Sequence, residues 1–208
     1  MTSVRRARRQ VRESRALGIP LTPKAVKYFE KRPYPPGEHG RGRRRTESDY
    51  AVRLREKQRL RAQYGLREKQ LVRAFSEAKK ESGLTGEALV ELLEMRLDSL
   101  VLRSGLARSI YQARQAVVHR HVLVDGKLVD RPSYRVTPGQ VIQIKPSSQV
   151  LTPFQVAAAG AHRDVLPPLP EYLDVTLERL RVELVRRPKR AEVPITAEVQ
   201  LVVEYYSR

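Results

Sequence analysis

The chain has no cysteine and no tryptophan. Without cysteine it can form no disulfide and no thiolate-ligated metal site. No run approaches the roughly 20 apolar residues of a membrane-spanning helix. The start, Met1-Thr-Ser-Val-Arg-Arg-Ala-Arg-Arg, has no apolar core of the kind a secretory signal carries. The expectation is a soluble, cytoplasmic protein with no membrane partner. Acidic residues are also scarce, 23 against 41 Lys and Arg in 208 residues, for a net charge of +18. A compact chain this basic repels itself, and a polyanion is its natural partner. Arginine far outnumbers lysine. Its planar fork suits phosphate oxygens and base faces, which favours nucleic acid over a membrane surface.

The positive charge is uneven. Residues 1–65 hold 19 Lys and Arg against 6 Asp and Glu, a balance of +13. Residues 1–18, with Arg5, Arg6, Arg8, Arg9, Arg12 and Arg15, read as a basic arm that orders on its partner. Residues 32–45, RPYPPGEHGRGRRR, contain three prolines and three glycines, which exclude a regular helix. This stiff turn presents Arg32, Tyr34, His39 and the run Arg43, Arg44, Arg45.

Ser48 is a good N-cap for a helix from Tyr50 to Tyr64. Its apolar stripe is thin, and Arg53, Arg55, Lys57, Arg59 and Arg61 cover the rest, so its broad face is expected to meet phosphates. Gly65 stops it. Further helices are expected at about 66–82, 85–104 and 109–119, the last capped by Ser109. Ile110, Ala113, Ala116 and Val117 share its apolar face, and Arg114 and Gln115 fall off it. Then Val122-Leu-Val124, Asp125-Gly126 and Leu128-Val129 give a strong hairpin signal. Val141 to Ile144 reads as a further strand, as do 172–175 and 180–185, and Ala197 to Arg208 as a helix. The patterning of 146–170 predicts little.

His119 and His121 lack any cysteine or carboxylate cluster that would complete a metal shell, so no metal and no cofactor is expected. Gly37 to Gly42 lacks the Gly-Lys-Ser/Thr ending of a nucleotide-binding loop. Asp98 lies on a continuing helical stripe and reads as a surface residue or ion-pair partner. No Ser/His/Asp arrangement is suggested by spacing, and the chain reads as a non-enzyme.

The segments Arg96-Leu-Asp, Ser-Gly-Leu-Ala, Gln-Ala-Arg-Gln, His119-x-His121-Val-x-Val-Asp-Gly and Pro-Ser-Tyr-Arg-Val-x-Pro-Gly-Gln together resemble the RNA-binding domain named after small-subunit ribosomal protein four. That domain also occurs in pseudouridine synthases, so a stand-alone RNA-modifying enzyme is the competing reading. The flanks Arg32-Pro-Tyr-Pro-Pro-Gly-Glu-His-Gly and Ser48-Asp-Tyr-Ala-Val-Arg-Leu-Arg-Glu-Lys-Gln-Arg-Leu-Arg, with the ending Val203-Glu-Tyr-Tyr-Ser-Arg, are similar to the ribosomal protein family itself.

The resemblance implies an α+β fold: a helical domain with an inserted small RNA-binding domain of two helices plus an antiparallel hairpin sheet, and a basic N-terminal arm. The expected divisions are 1–45 for the arm and turn, 46–94 plus 196–208 for the helical domain, and 95–195 for the insert, with the RNA-binding unit at 95–145. It implies binding of the 5′ domain of 16S rRNA, nucleation of the small-subunit body, and a share in decoding accuracy with proteins five and twelve. The implied neighbours are protein five above all, proteins three and twelve nearby, and the region where mRNA enters. Phosphate and sugar contacts are expected from the arginines and Lys57 named above and from Arg114, with stacking or hydrogen bonding by Tyr34 and Tyr50. Ser109, Gln115, His119, Arg120, His121, Arg131, Tyr134 and Arg135 complete the candidate RNA-binding set.

Many family members hold a zinc ion through four N-terminal cysteines, and none is present here. The family usually has Arg after the capping serine and Gly between the two histidines. Here Ile110 and Arg120 stand there, and Arg120 is expected in a left-handed conformation.

Overall fold

The computed structural model describes residues 3–42 and 46–207, the side chains of residues 3–6 excepted. The fold is α+β, and the chain divides into two compact units, Met1–Leu71 with Ile195–Arg208, and Val72–Pro194.

The first unit is helical. Helix α1 spans Ser3–Leu17 and α2 spans Pro23–Lys31. The basic N-terminal segment, expected to order on its partner, is helical and packed in part within this unit. Ser14 is fully buried; its hydroxyl donates to the Gln10 carbonyl (2.9 Å) and accepts from the Leu21 N–H (3.2 Å). Gly18, at φ 71°, turns the chain so that Ile19 is buried as well. Arginine is a good helix former, and one small buried face is enough to fix such a helix. Thr22 caps α2, accepting from the Ala25 N–H at 3.3 Å, with Pro23 in the first turn. Helix α3, Asp49–Gln63, begins at Ser48 as expected, the hydroxyl accepting from the Ala51 N–H at 3.3 Å. Gly65 ends it in a left-handed conformation, φ 59°.

Helix α4, Glu68–Ala78, contains the position at which the two units divide. The second unit continues with α5 Thr85–Glu94, α6 Leu97–Arg103 and α7 Ile110–Val118. One helix over 85–104 is expected from periodicity, but the structure breaks it at Met95-Arg96. There the Leu97 N–H donates to the Tyr134 carbonyl (2.8 Å) and the Val136 N–H to the Met95 carbonyl (2.9 Å), so Arg96 pairs with Arg135 as a β-bridge. A tertiary partner has replaced the helical one.

The sheet has strands β1 Val122–Val124, β2 Lys127–Leu128, β3 Val141–Ile144, β4 Leu173–Thr176 and β5 Arg181–Leu184, ordered β2-β1-β3-β5-β4 and antiparallel throughout. Asp125 and Gly126 both take positive φ, 49° and 75°, as a two-residue hairpin requires. Alternation places Val122, Val124, Ile142, Ile144, Val182 and Leu184 in the core. Helix α8, Thr152–Ala158, fills part of the segment whose patterning predicted little. Buried Glu94 accepts from Arg103 (2.6 Å) and from the Tyr172 hydroxyl (3.2 Å). Burial, the Glu94 charge and that hydrogen bond push the Tyr172 hydroxyl far above the usual phenol range, against the neighbouring Arg103.

Candidate nucleic-acid interface

The Pro/Gly turn is built around Tyr34. Arg15 on α1 donates from Nε to the carbonyls of Arg32 (3.1 Å) and Tyr34 (3.0 Å), and from Nη2 to that of Pro35 (3.3 Å). The guanidinium lies 4.8 Å from the Tyr34 ring centre, and that of Arg41 lies 4.9 Å from it. Arg41 also donates to the Tyr34 hydroxyl at 3.0 Å, which lowers its pKa. At Gly40 a Cβ would stand 2.0 Å from the Pro35 carbonyl oxygen, so only glycine closes this turn. The chain has no cysteine, and a guanidinium bridging three carbonyls ties the turn to α1. The Tyr34 ring is thus used inside the protein, while Arg8, Arg9, Arg32 and His39 are exposed. The side chains of Arg5 and Arg6, and Arg43, Arg44 and Arg45 entirely, lie outside the described residues.

Helix α3 does not present an open basic face. Helix α9, Val199–Tyr206, lies along it and brings acidic and aromatic groups to its cations. Arg53 pairs with Glu204 (2.7 Å), Arg55 pairs with Glu47, and Arg59 pairs with Glu56 (2.7 Å) while donating to the Leu17 carbonyl (2.8 Å). Lys57 is buried; its Nζ sits 2.9 Å from Glu68 Oε1 and 4.4 Å from the Tyr205 ring centre. The Tyr206 hydroxyl donates to the same Glu68 oxygen at 2.8 Å. Burial raises the Glu68 pKa, but the hydrogen bonds from Lys57 and Tyr206 outweigh it and carry the group below the usual carboxylate range. Among the described residues, Arg53 Nη1, Arg55 Nε and Arg61 Nε are buried without a hydrogen-bond acceptor. Tyr50 is half exposed, its ring 5.8 Å from that of Tyr205.

In the second unit, Ser109 caps α7 by accepting from the Gln112 N–H (3.3 Å), so its hydroxyl oxygen is engaged in the cap. Arg114 reaches inward to Asp98 (2.7 Å), which also takes two bonds of 3.0 Å from Arg96. Asp98 is an ion-pair partner, as expected, but fully buried rather than on the surface. Gln115, His119 and Arg131 are exposed. His121 is half-buried, its Nδ1 2.9 Å from the Ser148 hydroxyl and its ring edge-on to Phe154. Burial, then the charges of His119 and Lys145, lower the His121 pKa. The Tyr134 hydroxyl accepts from Gln140 (3.3 Å), and Arg135 pairs with Glu77. Two further exposed cations lie outside the expected set, Lys127 beside the hairpin turn and Lys145, whose N–H donates to the His121 carbonyl at 2.9 Å. The antiparallel pairing of β1 with β3, which brings 145 beside 121, is the signal that would have found the second.

Arg120 adopts the expected left-handed backbone, φ 65°, and its exposed side chain pairs with Asp130 at 3.3 Å. Left-handed strain in a non-glycine residue costs about 1–3 kcal/mol, and an exposed pair returns about 0–1 kcal/mol. Arg120→Gly is therefore expected to raise the unfolding free energy by about 1 kcal/mol, read by urea denaturation, and to weaken RNA binding. Tighter folding with unchanged RNA affinity would remove Arg120 from the interface.

Among the described residues no helix is long and apolar enough to cross a membrane, and no group of three or more His, Cys, Asp or Glu could hold a metal ion. Residues 5–94 match the ribosomal protein S4/S9 N-terminal domain, and residues 95–142 match the S4 domain. The small ribosomal subunit protein uS4 of Beutenbergia cavernae is 82% identical over 208 residues, covering 100% of both chains. That of Clavibacter michiganensis subsp. michiganensis is 69% identical over 207 residues, covering 100% of this chain and 99% of its own. That of Tropheryma whipplei strain Twist is 69% identical over 198 residues, covering 95% of this chain and 97% of its own. Two family domains in succession and such relatives along the full length place this chain in the small ribosomal subunit protein uS4 family.

Proposed function

We propose that the protein is a non-enzymatic, structural rRNA-binding component of the cytoplasmic small ribosomal subunit. The observation that carries this reading is its full-length kinship with uS4 proteins. At the finer level it binds the 5′ domain of 16S rRNA, nucleates assembly of the subunit body and, with proteins five and twelve, contributes to decoding accuracy. Protein five is its principal protein neighbour, with proteins three and twelve and the path of entering mRNA close by. The charge distribution supports an RNA partner, because exposed cations such as Arg8, Arg9, Arg32, Arg120 and Arg131 can release counterions from phosphates.

Paired and unpaired cations should behave differently. Arg131→Ala is expected to reduce the slope of log K against log salt by about one unit, as for one lost phosphate contact. Arg53→Ala is expected to change that slope by less, since Glu204 already neutralises Arg53. Filter binding of a 5′-domain 16S rRNA fragment from low to moderate salt measures both. Failure of the wild-type chain to bind that fragment, or to sediment with small subunits, would overturn the reading.

A further inference from the structure

Beside the hairpin turn, the second unit carries a hydrogen-bond network centred on Gln140, a residue outside the expected RNA-binding set. The Thr137 N–H donates to Gln140 Oε1 at 3.0 Å, which fixes the orientation of the amide. Its Nε2 then donates to Asp125 Oδ2 (2.8 Å) and to the Tyr134 hydroxyl oxygen (3.3 Å). The other Asp125 oxygen accepts from the Val141 N–H at 2.8 Å.

This network leaves one donor and one acceptor free at the surface. An amide nitrogen of this kind can only donate, so the Tyr134 hydroxyl accepts from Gln140 and keeps its own proton. That proton has no acceptor among the described residues. The Asp125 carboxylate has about four acceptor positions, and the bonds from Gln140 and Val141 leave others open. Asp125 is exposed, and Tyr134 and Gln140 are half-buried.

Charge selects what such a pair meets. Lys127 and Arg131 are exposed cations close by in the chain, and the Arg131 carbonyl accepts from the Tyr134 N–H at 2.9 Å. They suit phosphate, whereas the Asp125 carboxylate repels it. A ribose 2′-hydroxyl is neutral, both donates and accepts, and distinguishes RNA from DNA. Its proton suits Asp125, and its oxygen suits the Tyr134 O–H.

We propose that Asp125 and Tyr134 recognise a ribose 2′-hydroxyl, and that Gln140 is the positioning residue that directs the Tyr134 proton outward. This inference rests on the rRNA reading and names the group recognised at one point of it. The test uses the full-length chain and a 5′-domain 16S rRNA fragment carrying scattered 2′-deoxy nucleotides, with bound and unbound molecules compared position by position. Wild type is expected to discriminate against 2′-deoxy substitution at a small set of positions. Tyr134→Phe is expected to lose one of these positions and keep the rest, and to bind the all-ribose fragment about fivefold more weakly, as for one hydrogen bond. Its salt slope should stay unchanged, since no phosphate contact is lost. The substitution leaves the backbone bonds of Tyr134 to Arg131 and Leu97 in place. Gln140→Glu is expected to lose the same position, because a carboxylate oxygen there accepts the Tyr134 proton and draws it inward. Identical 2′-deoxy patterns for wild type and Tyr134→Phe, or a salt slope lowered by a full unit in that variant, would overturn the inference and leave the rRNA reading standing. Failure of wild type to bind the fragment would overturn both.

Discussion

Asp98→Ala is expected to lower the unfolding free energy by about 3–5 kcal/mol, the range for breaking a buried ion pair from one side. The carboxylate is fully buried and takes four hydrogen bonds, 3.0 and 3.0 Å from Arg96 and 2.7 and 3.2 Å from Arg114. Removing it leaves two guanidiniums facing each other with their shared counter-charge gone. The location adds to the effect. Asp98 lies in the first turn of α6, and its N–H donates to the carbonyl of Pro132, in the turn before Arg135, at 3.2 Å. The charge triad and the bridge between Arg96 and Arg135 therefore hold the same corner of the second unit. Arg114→Met should cost less, since the Arg114 side chain is 29% exposed and Arg96 stays in place. Urea denaturation followed by circular dichroism measures both. A loss below about 1 kcal/mol for Asp98→Ala, the level of an exposed pair, would show that the buried pairing is not what holds this corner.

Lys57→Ala is expected to cost about 2–3 kcal/mol of stability, somewhat under the buried-pair range because Glu68 keeps part of its hydration. Lys57 is 5% exposed, and its ammonium is engaged by a carboxylate and two tyrosine rings. It cannot reach a phosphate without leaving all three. Its loss should therefore register in folding more than in the salt slope of RNA binding. The same site predicts an acid dependence. Glu68 has a folded-state pKa below its ordinary value, so its stabilisation is present above that ordinary value and is lost as pH falls through the depressed one. Wild-type stability should decline over that acidic window, and Lys57→Ala should flatten the decline. A variant with wild-type stability and a salt slope reduced by a full unit would return Lys57 to the phosphate-binding set.

The two variants mark where sequence reasoning succeeds and where it stops. Alternation in Val122–Val124 and Val141–Ile144, the Asp125-Gly126 turn, and the caps at Ser48 and Ser109 were legible because backbone sterics and local hydrogen bonds decide them within a few residues. So was the left-handed Arg120, which follows a helix end at a position where glycine is favoured. Local pattern gave no sign of the ion pairs that a distant element supplies. Arg53 meets Glu204, and Arg114 meets Asp98. Nothing near these residues in the chain marks them as spoken for.

The break between α5 and α6 has the same origin. The apolar spacing of 85–104 is helical throughout, yet the backbone at Arg96 pairs with Arg135. Helix α1 reverses the case: dense like charge argued against packing, but buried Ser14 and the hold of Arg15 on three carbonyls anchor it. Composition and local pattern by themselves determined a strongly basic chain with its turns, its caps and its hairpin, and its motifs carried the resemblance to the family. Only the tertiary structure decided which of its cations remain available, because an ion pair or a buried carboxylate depends on distance in space, and side chains far apart in the chain set that distance.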